Sequence, residues 1–404
     1  MPSSFLHSFA KPSSDAFINI VRGELALVWD DKGNEYIDGI GSLWYCQIGH
    51  GRTEMAEAVA AQISTLENYS TFDPFTNPIA EALAETISSL SPIPSSRVFL
   101  CSSGSESIDS AMKIARTSQI QSGYPEKSII ISRNRGYHGT NYGGTSAQGL
   151  PLNKVGYGTL LEGVVQVEAD DIEAMSFAFQ QNKGRIAAVI AEPVQGAGGV
   201  WPATREYLEA LRRLCDENGA YLILDEVITG FGRLGEWFGA TYYGVTPDMI
   251  TFAKGVTSGY QPLGGVITGQ AINSALTADP TFFFRHGYTY SGHATVCAAA
   301  LKNIEIMKRE KLLERARQIG QRIESGLAAL SLDGTIQGYR GAGAIWGGIL
   351  PDALDATVVR DTMILQGVIA RSIPGVIAFC PPLVITDTQI DTMLDVFAAV
   401  IQSQ

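Results

Sequence analysis

The chain has 404 residues, of which 45% are hydrophobic and 17% are charged, and its formal net charge is −12. This length and apolar content are sufficient for a sizeable core divided over two or three domains. The acidic balance argues against a surface for nucleic acid or for an anionic membrane, and no apolar run approaches the roughly 18 residues of a membrane helix.

The cysteine pattern indicates a reducing compartment. The five cysteines are scattered, odd in number and form no CxxC pair, so most of them are expected to be core residues. The N-terminus has no basic start and no long apolar stretch, so we predict no signal peptide. These features together predict a cytoplasmic protein.

The predicted elements begin with a β-hairpin over residues 23–38, with its turn near residues 30–34. Two helices follow, the first capped by Thr53 and the second by Asn77 with Pro78 at its first position. Short apolar strands then alternate with helices, at 98–100, 129–131, 187–191, 221–224 and 249–252. This alternation predicts a doubly wound α/β sheet, and the helices and short strands after residue 294 predict a separate α+β lobe.

Two of these apolar strands end in charges of opposite sign. One ends in Asp225, and the other leads into Lys254, 29 residues later, which leaves room for one crossover between adjacent strands. Because the carboxyl ends of strands in an open α/β sheet border the ligand crevice, we expect both residues to face one site. An aspartate that holds a protonated ring nitrogen and a lysine that forms a Schiff base are what a pyridoxal phosphate (PLP) enzyme needs. Taken alone, Lys254 is more typical of a solvated lysine at a strand end and Asp225 of a loop cap, so the PLP interpretation depends on their combination.

Three further segments follow predicted strands. The small-residue loop at Ser103, Gly104 and Ser105 precedes a helix, so its free amides suit a phosphate, although a plain serine-capped turn fits it too. Tyr137, between glycines, could stack on a flat ring or be a core tyrosine in a turn. Glu192 could bond a cofactor hydroxyl or cap a loop.

Other chemistries have less support in the sequence. There is no GxxxxGK[ST], GxSxG or HExxH pattern. The glycines of residues 196–199 resemble half a dinucleotide fingerprint but lack the third glycine, which leaves a Rossmann dehydrogenase as the competing class. The histidines are isolated, so we predict no metal site.

Six ordered motifs resemble those of class III aminotransferases, which are fold type I PLP enzymes; they lie at residues 103–106, 136–139, 192–196, 224–233, 247–265 and 289–293. The resemblance implies a mostly parallel seven-stranded sheet in a large cofactor-binding domain (51–296), with a smaller α+β domain formed by 1–50 and 297–404. It also implies a homodimer, or a dimer of such dimers.

The resemblance implies cofactor contacts from Ser103, Gly104, Ser105, Tyr137, His138, Glu192, Asp225, Val227 and Lys254, and from Thr289 of the partner subunit. Lys254 would be linked covalently to PLP and would be catalytic together with Asp225. Tyr137 and Val227 would cover the two faces of the ring, and Glu192 would order the site near the ring hydroxyl.

Within the family, Trp44 and Arg371 resemble residues of the ω-amino acid or amine:pyruvate branch. Trp44, Phe72 and Tyr137 would line the substrate pocket, and Arg371 would grip a substrate carboxylate. The substrates would be a small amine donor and a keto acid, with pyruvate preferred over 2-oxoglutarate because no second fixed arginine is assigned. Gly265 replaces a frequent alanine, and Pro374 interrupts the stretch after Arg371, which puts the mobility of that arginine in doubt.

Three alternatives remain open from the sequence. The donor could be taurine, β-alanine or another ω-amino acid. The same fold and lysine could serve an aminomutase or a decarboxylating enzyme. The third is a non-enzymatic or dinucleotide-binding α/β protein, which would bind no PLP.

Overall fold

The computed structural model describes residues 4–404. Its strands are β1 Ile20–Glu24, β2 Leu27–Asp30, β3 Glu35–Asp38, β4 Arg97–Cys101, β5 Ile129–Arg133, β6 Val164–Val167, β7 Ile186–Ala191, β8 Val194–Gln195, β9 Trp201–Pro202, β10 Tyr221–Asp225, β11 Met249–Phe252, β12 Gly264–Thr268, β13 Gly338–Ala342, β14 Ile345–Ile349, β15 Val368–Ile369, β16 Arg371–Ile373 and β17 Val376–Phe379.

The helices are α1 Gly41–Trp44, α2 Thr53–Thr65, α3 Pro78–Leu90, α4 Gly104–Gln121, α5 Tyr142–Ala147, α6 Ile172–Gln181, α7 Arg205–Asn218, α8 Gly239–Tyr243, α9 Gln270–Thr277, α10 Ala294–Arg309, α11 Leu312–Leu332, α12 Ala356–Leu365 and α13 Asp387–Gln402. Two 3₁₀ turns lie at Pro151–Lys154 and Lys254–Val256. Within residues 4–404, no helix has both the length and the apolar content to cross a bilayer.

The central sheet has seven strands in the order β4-β12-β11-β10-β7-β5-β6. The strands β11, β10, β7, β5 and β6 pair in parallel, whereas β12 is antiparallel to both of its neighbours. The predicted mostly parallel seven-stranded sheet is therefore confirmed. All of its strands except β12 run in the same direction, so the carboxyl ends of six strands lie at one edge, as in other doubly wound sheets.

Helices cover both faces of this sheet, which is why its strands are apolar on both sides. In β10, Tyr221 and Ile223 pack in the cluster that contains Ile108 of α4, whereas Leu222 and Leu224 pack on the other face with α7. Gly265 of β12 lies so close to the Phe252 ring that a Cβ there would overlap it, which explains glycine where the family often has alanine.

Local signals account for several helix ends. The Asn77 side chain accepts a hydrogen bond from the Ala80 amide at the start of α3, and α7 runs from the Thr204 cap to Gly219, whose φ is 59°. The predicted Thr53 cap is wrong, because Arg52 is the capping residue and Thr53 is already helical.

Two smaller sheets use the two ends of the chain. One has the order β1-β2-β3-β15, and the other has the order β13-β14-β17-β16. The hairpin β16–β17 turns at Pro374 and Gly375, and Gly375 has a φ of 70°. Pro374 therefore occupies a two-residue turn that suits its fixed φ, and Arg371 stays paired with Ala378 in the sheet.

Candidate active site

Asp225 and His138 form a buried pair at the carboxyl edge of the central sheet. Asp225 is the last residue of β10, and its Oδ2 lies 2.7 Å from His138 Nδ1. Because a carboxylate only accepts hydrogen bonds, Nδ1 carries the proton and donates it. Asp225 Oδ1 accepts bonds from Thr251 Oγ1 (3.1 Å) and from the Val227 amide (3.2 Å). The carboxylate is therefore fixed in a position suited to face a cationic ring nitrogen.

Lys254 follows β11 and opens a 3₁₀ turn with a φ of 47°. A lysine in the left-handed region is uncommon, and such conformations cluster at functional sites. Burial lowers the pKa of its amine, and the charges of Asp225 and Glu192 act in the opposite direction without cancelling that effect. A lowered pKa gives more of the neutral amine, which is the form that attacks a carbonyl carbon.

The amino end of α4 lies between the segments that carry these two residues. A Cβ at Gly104 would lie 2.9 Å from Val227 Cγ1 and 3.6 Å from the Ala253 Cβ. Ser107 of the same helix donates a hydrogen bond to the Phe252 carbonyl at 3.0 Å. The free amides of this helix therefore open beside Asp225 and Lys254, where they can bind a phosphate.

The serine hydroxyls of this loop are partly engaged within the protein. Ser103 Oγ caps α4 by accepting a bond from the Glu106 amide (3.2 Å), and Ser105 Oγ accepts one from the Thr140 amide (3.0 Å). Both O–H groups remain available as donors. This arrangement fits their predicted role at a phosphate and also links α4 to the loop that follows β5.

Glu192 is buried and lies directly after β7. Its carboxylate accepts bonds from the Tyr137 amide (2.9 Å) and from the Gly196 amide (3.2 Å). Burial raises the pKa of this carboxyl to about 7, although the nearby His138 opposes the shift. Glu192 thus fixes the backbone of Tyr137, whose half-buried ring lies within the electrostatic reach of Asp225.

Trp44 and Arg371 approach this group from the two ends of the chain. The Trp44 ring is buried against Gly196, so closely that a Cβ at 196 would overlap it. Arg371 is exposed at the start of β16. Its positive charge adds to the effect of burial, which lowers the pKa of Lys254, and opposes the effect of burial that raises the pKa of Tyr137. No carboxylate among residues 4–404 lies within ion-pair distance of Arg371.

Phe72 and Thr289 lie elsewhere in the subunit. The Phe72 ring packs beside Gly287 and lines a surface groove of about 1020 Å³ together with aromatic residues of the 283–287 segment. Thr289, just beyond that segment, is exposed. The structure therefore does not bring these two predicted residues to Lys254 within one chain.

Two features of the site were not foreseen from the sequence. The bond between His138 and Asp225 joins residues 87 positions apart. Thr251 donates a hydrogen bond to Asp225 Oδ1. The sequence could have indicated this role, because Thr251 is the single polar residue in β11. No group of three His, Cys, Asp or Glu side chains within residues 4–404 could hold a metal ion.

The residues fit a phosphorylated pyridine aldehyde. The α4 amides suit the phosphate, the fixed carboxylate of Asp225 suits a protonated ring nitrogen, and the amine of Lys254 suits the aldehyde carbon. The absence of a side chain at Gly104 lets Val227 pack directly against the amino end of α4, because a Cβ there would lie 2.9 Å from Val227 Cγ1.

Comparison with known proteins agrees with this geometry. Residues 8–401 match the family Aminotransferase class-III. A β-alanine–pyruvate aminotransferase of Pseudomonas aeruginosa is 39% identical over 334 residues, covering 77% of this chain and 74% of that protein. An ω-aminotransferase of Caulobacter vibrioides is 34% identical over 398 residues, covering 92% and 90%.

Solved structures of transaminases share the whole fold. A transaminase from the marine bacterium Virgibacillus superposes with a TM-score of 0.96 at 36% identity, covering 99% of this chain and 97% of that one. An amine transaminase from an uncultivated Pseudomonas species, solved in a PLP-bound form, gives 0.94 at 34% identity, covering 99% of both chains. The chain therefore belongs to the class III aminotransferase family and is a PLP-dependent transaminase.

Proposed function

We propose that this enzyme transfers an amino group from an amine or ω-amino acid to pyruvate. The observation that carries the proposal is the position of Arg371. Its guanidinium is exposed, has no acidic partner among residues 4–404, and is close enough to Lys254 and Tyr137 to affect the pKa of both. A guanidinium in that position can bind the carboxylate of a keto acid through two parallel hydrogen bonds. The β-alanine–pyruvate and ω-aminotransferase relatives support the same substrate class.

The acceptor is proposed to be pyruvate rather than a dicarboxylate, in part because Arg233 is not free. Arg233 is fully buried, and its Nη1 donates to the carbonyls of Ala344 (3.1 Å) and Pro381 (2.7 Å). A buried guanidinium bound to backbone carbonyls cannot swing to a substrate. It therefore does not supply the second cation that a distal carboxylate would require.

We assign the residues as follows. The amides of Gly104 and Ser105 would hold the phosphate of PLP, Asp225 would face its ring nitrogen, and Val227 and Tyr137 would border its ring. When bound, PLP supplies a carbonyl carbon for amines to join and a ring that takes up negative charge from the donor carbon. Asp225 keeps the proton on the ring nitrogen, because its carboxylate is fixed in a buried site before the reaction begins.

Lys254 would serve both as the attachment point and as the acid–base group. Its Nζ takes a proton from the donor carbon and later returns one, a role that favours an amine with a pKa below the ordinary lysine value. Glu192 orients Tyr137 through the backbone amide, and His138 donates a hydrogen bond to Asp225 Oδ2.

The substitution Arg371→Ala tests the carboxylate role. We expect kcat/KM for pyruvate to fall about a hundredfold, the equivalent of losing ~3 kcal/mol of charge-assisted hydrogen bonding. An aldehyde acceptor, which has no carboxylate, should lose much less. Steady-state kinetics with both acceptors measures the ratio, with Arg322→Ala as a control on an exposed arginine that pairs with Asp391. Equal losses with the two acceptors would exclude the carboxylate-binding role.

We also propose a homodimer in which Thr289 completes the partner's phosphate site. Thr289 is exposed, and the neighbouring groove carries exposed Phe72 and Phe283, which are apolar surfaces suited to an interface. The large domain would comprise residues 51–296, since the central sheet lies within 97–268, and the two ends of the chain would form the small domain. The five cysteines, all unpaired and buried, support a cytoplasmic location.

Complementation between two inactive variants tests the shared site. Thr289→Asp places a negative charge against the phosphate of the neighbouring site, so this variant and Lys254→Ala should each be nearly inactive. In a mixed dimer, one site carries both changes and the other carries neither, so co-expressed chains should show activity well above the sum of the separate variants. Additive activities would show that Thr289 acts within its own subunit or not at all.

A further inference from the structure

Asp38, the last residue of β3, has a buried carboxylate with three hydrogen-bond donors. Its oxygens accept from the Ser42 amide at 2.7 Å, from the Ile40 amide at 3.3 Å and from His50 Nε2 at 2.8 Å. Two of these donors, Ile40 and Ser42, come before Trp44 in the chain, and the third, His50, comes after it. Residues 39–50 are called the Trp44 loop below. A single side chain therefore fixes both ends of the segment that carries Trp44.

The Trp44 loop includes α1, whose backbone is not that of a regular helix. Gly41, Ser42 and Trp44 have φ values of 57°, 61° and 69°, all in the left-handed region. Residues other than glycine keep such conformations only where the surroundings hold them. The Ser42 amide is bound to Asp38, and the Trp44 ring packs on Gly196, whose amide binds Glu192. The position of the Trp44 ring thus depends on the Asp38 carboxylate.

The backbone at Asp38 and Gly39 also bonds to the chain on both sides of Arg371. Asp38 pairs with Ile369 of β15, and the Gly39 amide donates to the Ile369 carbonyl at 2.9 Å. On the other side, the Gly39 carbonyl accepts from the Cys380 amide at 2.8 Å. Ile369 is two residues before Arg371, and Cys380 directly follows β17, the strand that pairs with Arg371.

We infer that Asp38 is a positioning residue that sets Trp44 and Arg371 together, and so controls which donors and acceptors the enzyme selects. The inference rests on the proposed function, because it takes Trp44 as a wall of the donor pocket and Arg371 as the carboxylate anchor. Asp38 is buried and its oxygens are bonded to the protein, so we expect it to act through Trp44 and Arg371 and not by direct contact with a ligand. Its effect therefore falls on substrate selection rather than on proton transfer at Lys254.

The substitution Asp38→Asn keeps the shape of the side chain but removes its charge. We expect the KM for pyruvate to rise about tenfold, as for the loss of one hydrogen bond to a charged group, while kcat changes by less than about threefold. Discrimination between a small amine (isopropylamine) and a bulky one (1-phenylethylamine) should shift by about the same tenfold factor. A uniform loss of kcat, with both ratios unchanged, would overturn the inference.

Asp30→Asn is the matched control. Asp30 is a similarly buried carboxylate in the same sheet, and it accepts bonds from Lys32, Asn34 and Tyr36, but it contacts no part of the Trp44 loop. A general loss of sheet stability would affect both variants equally. We expect Asp30→Asn to lower the melting temperature and to leave both selectivity ratios at wild-type values. Matching selectivity profiles in the two variants would contradict a special role for Asp38.

His50→Gln provides a second variant that leaves the backbone bonds to Asp38 intact. It should shift the amine ratio in the same direction by a smaller factor, and a wild-type ratio would count against the inference even if Asp38→Asn does not fold. Arg371→Ala is measured in parallel. If that variant loses activity with pyruvate and with the aldehyde equally, Arg371 does not bind the substrate carboxylate. The ratio of activities with the small and the bulky amine then decides alone whether Asp38 positions Trp44.

Discussion

Replacement of Lys254 by alanine is expected to abolish turnover. The variant loses both the amine that attaches the cofactor and the group that moves the proton, and a positioned acid–base group alone contributes about 10²–10⁴-fold to a rate. We therefore expect kcat to fall by at least about 10⁴-fold, the upper part of that range. The measurement is the steady-state rate with an amine donor and pyruvate at saturating PLP.

The control for this experiment is Lys183→Ala, which removes an exposed lysine just after α6. It should keep the wild-type rate and the visible absorbance of the bound cofactor, whereas Lys254→Ala should lose both. Multiple turnovers by Lys254→Ala with wild-type efficiency would mean that another group carries the chemistry. The left-handed backbone at Lys254 does not complicate the test, because the substituted alanine adds no side-chain bulk.

Asp225→Asn should fold but react slowly. The single amide oxygen of asparagine can still accept the bond from Thr251, and its NH₂ group can donate to His138 Nδ1 once that imidazole takes its other tautomer, so the pair can stay packed. It cannot hold a proton on the ring nitrogen by charge, so we expect the proton-transfer step to slow by about 10²–10³-fold, as when a preorganised electrostatic contact is removed. Single-turnover measurement of the donor half-reaction isolates this step.

The matched control is Asp248→Asn, at the opposite end of the same pair of strands. Asp248 accepts bonds from Arg212 Nη1 and from the Leu222 amide, both at 2.7 Å, and it lies outside the site. This variant should lose stability and keep the single-turnover rate. A near-normal rate in Asp225→Asn would remove the electrostatic role that we assign to Asp225.

The sequence was sufficient to predict that Asp225, Lys254, Glu192 and Tyr137 would meet. Each follows an apolar strand, and a parallel sheet brings the carboxyl ends of its strands to one edge whatever the lengths of the connections. That rule places residues along an edge, but it does not state which side chains bond to one another. The pairing of His138 with Asp225 depends on how two loops pack, which no local pattern encodes.

The substrate side of the site was less predictable for a related reason. Trp44 reaches Gly196 through a loop with several left-handed residues, of which only Gly41 is a glycine that would signal such a conformation. The role of Asp38 depends on pairing between β3 and β15, two short strands more than 300 residues apart in sequence. Contacts of that kind become visible only once the two ends of the chain are placed together.

Borohydride reduction of the holoenzyme, followed by peptide mapping with mass spectrometry, tests the central assignment most directly. The reagent fixes the cofactor permanently to the lysine that carries it. We predict a pyridoxyl group on the peptide that contains Lys254, and its loss when the protein is first converted to the amine form with excess donor. Stable labelling of a different lysine, with Lys254 unmodified in active enzyme, would contradict the account.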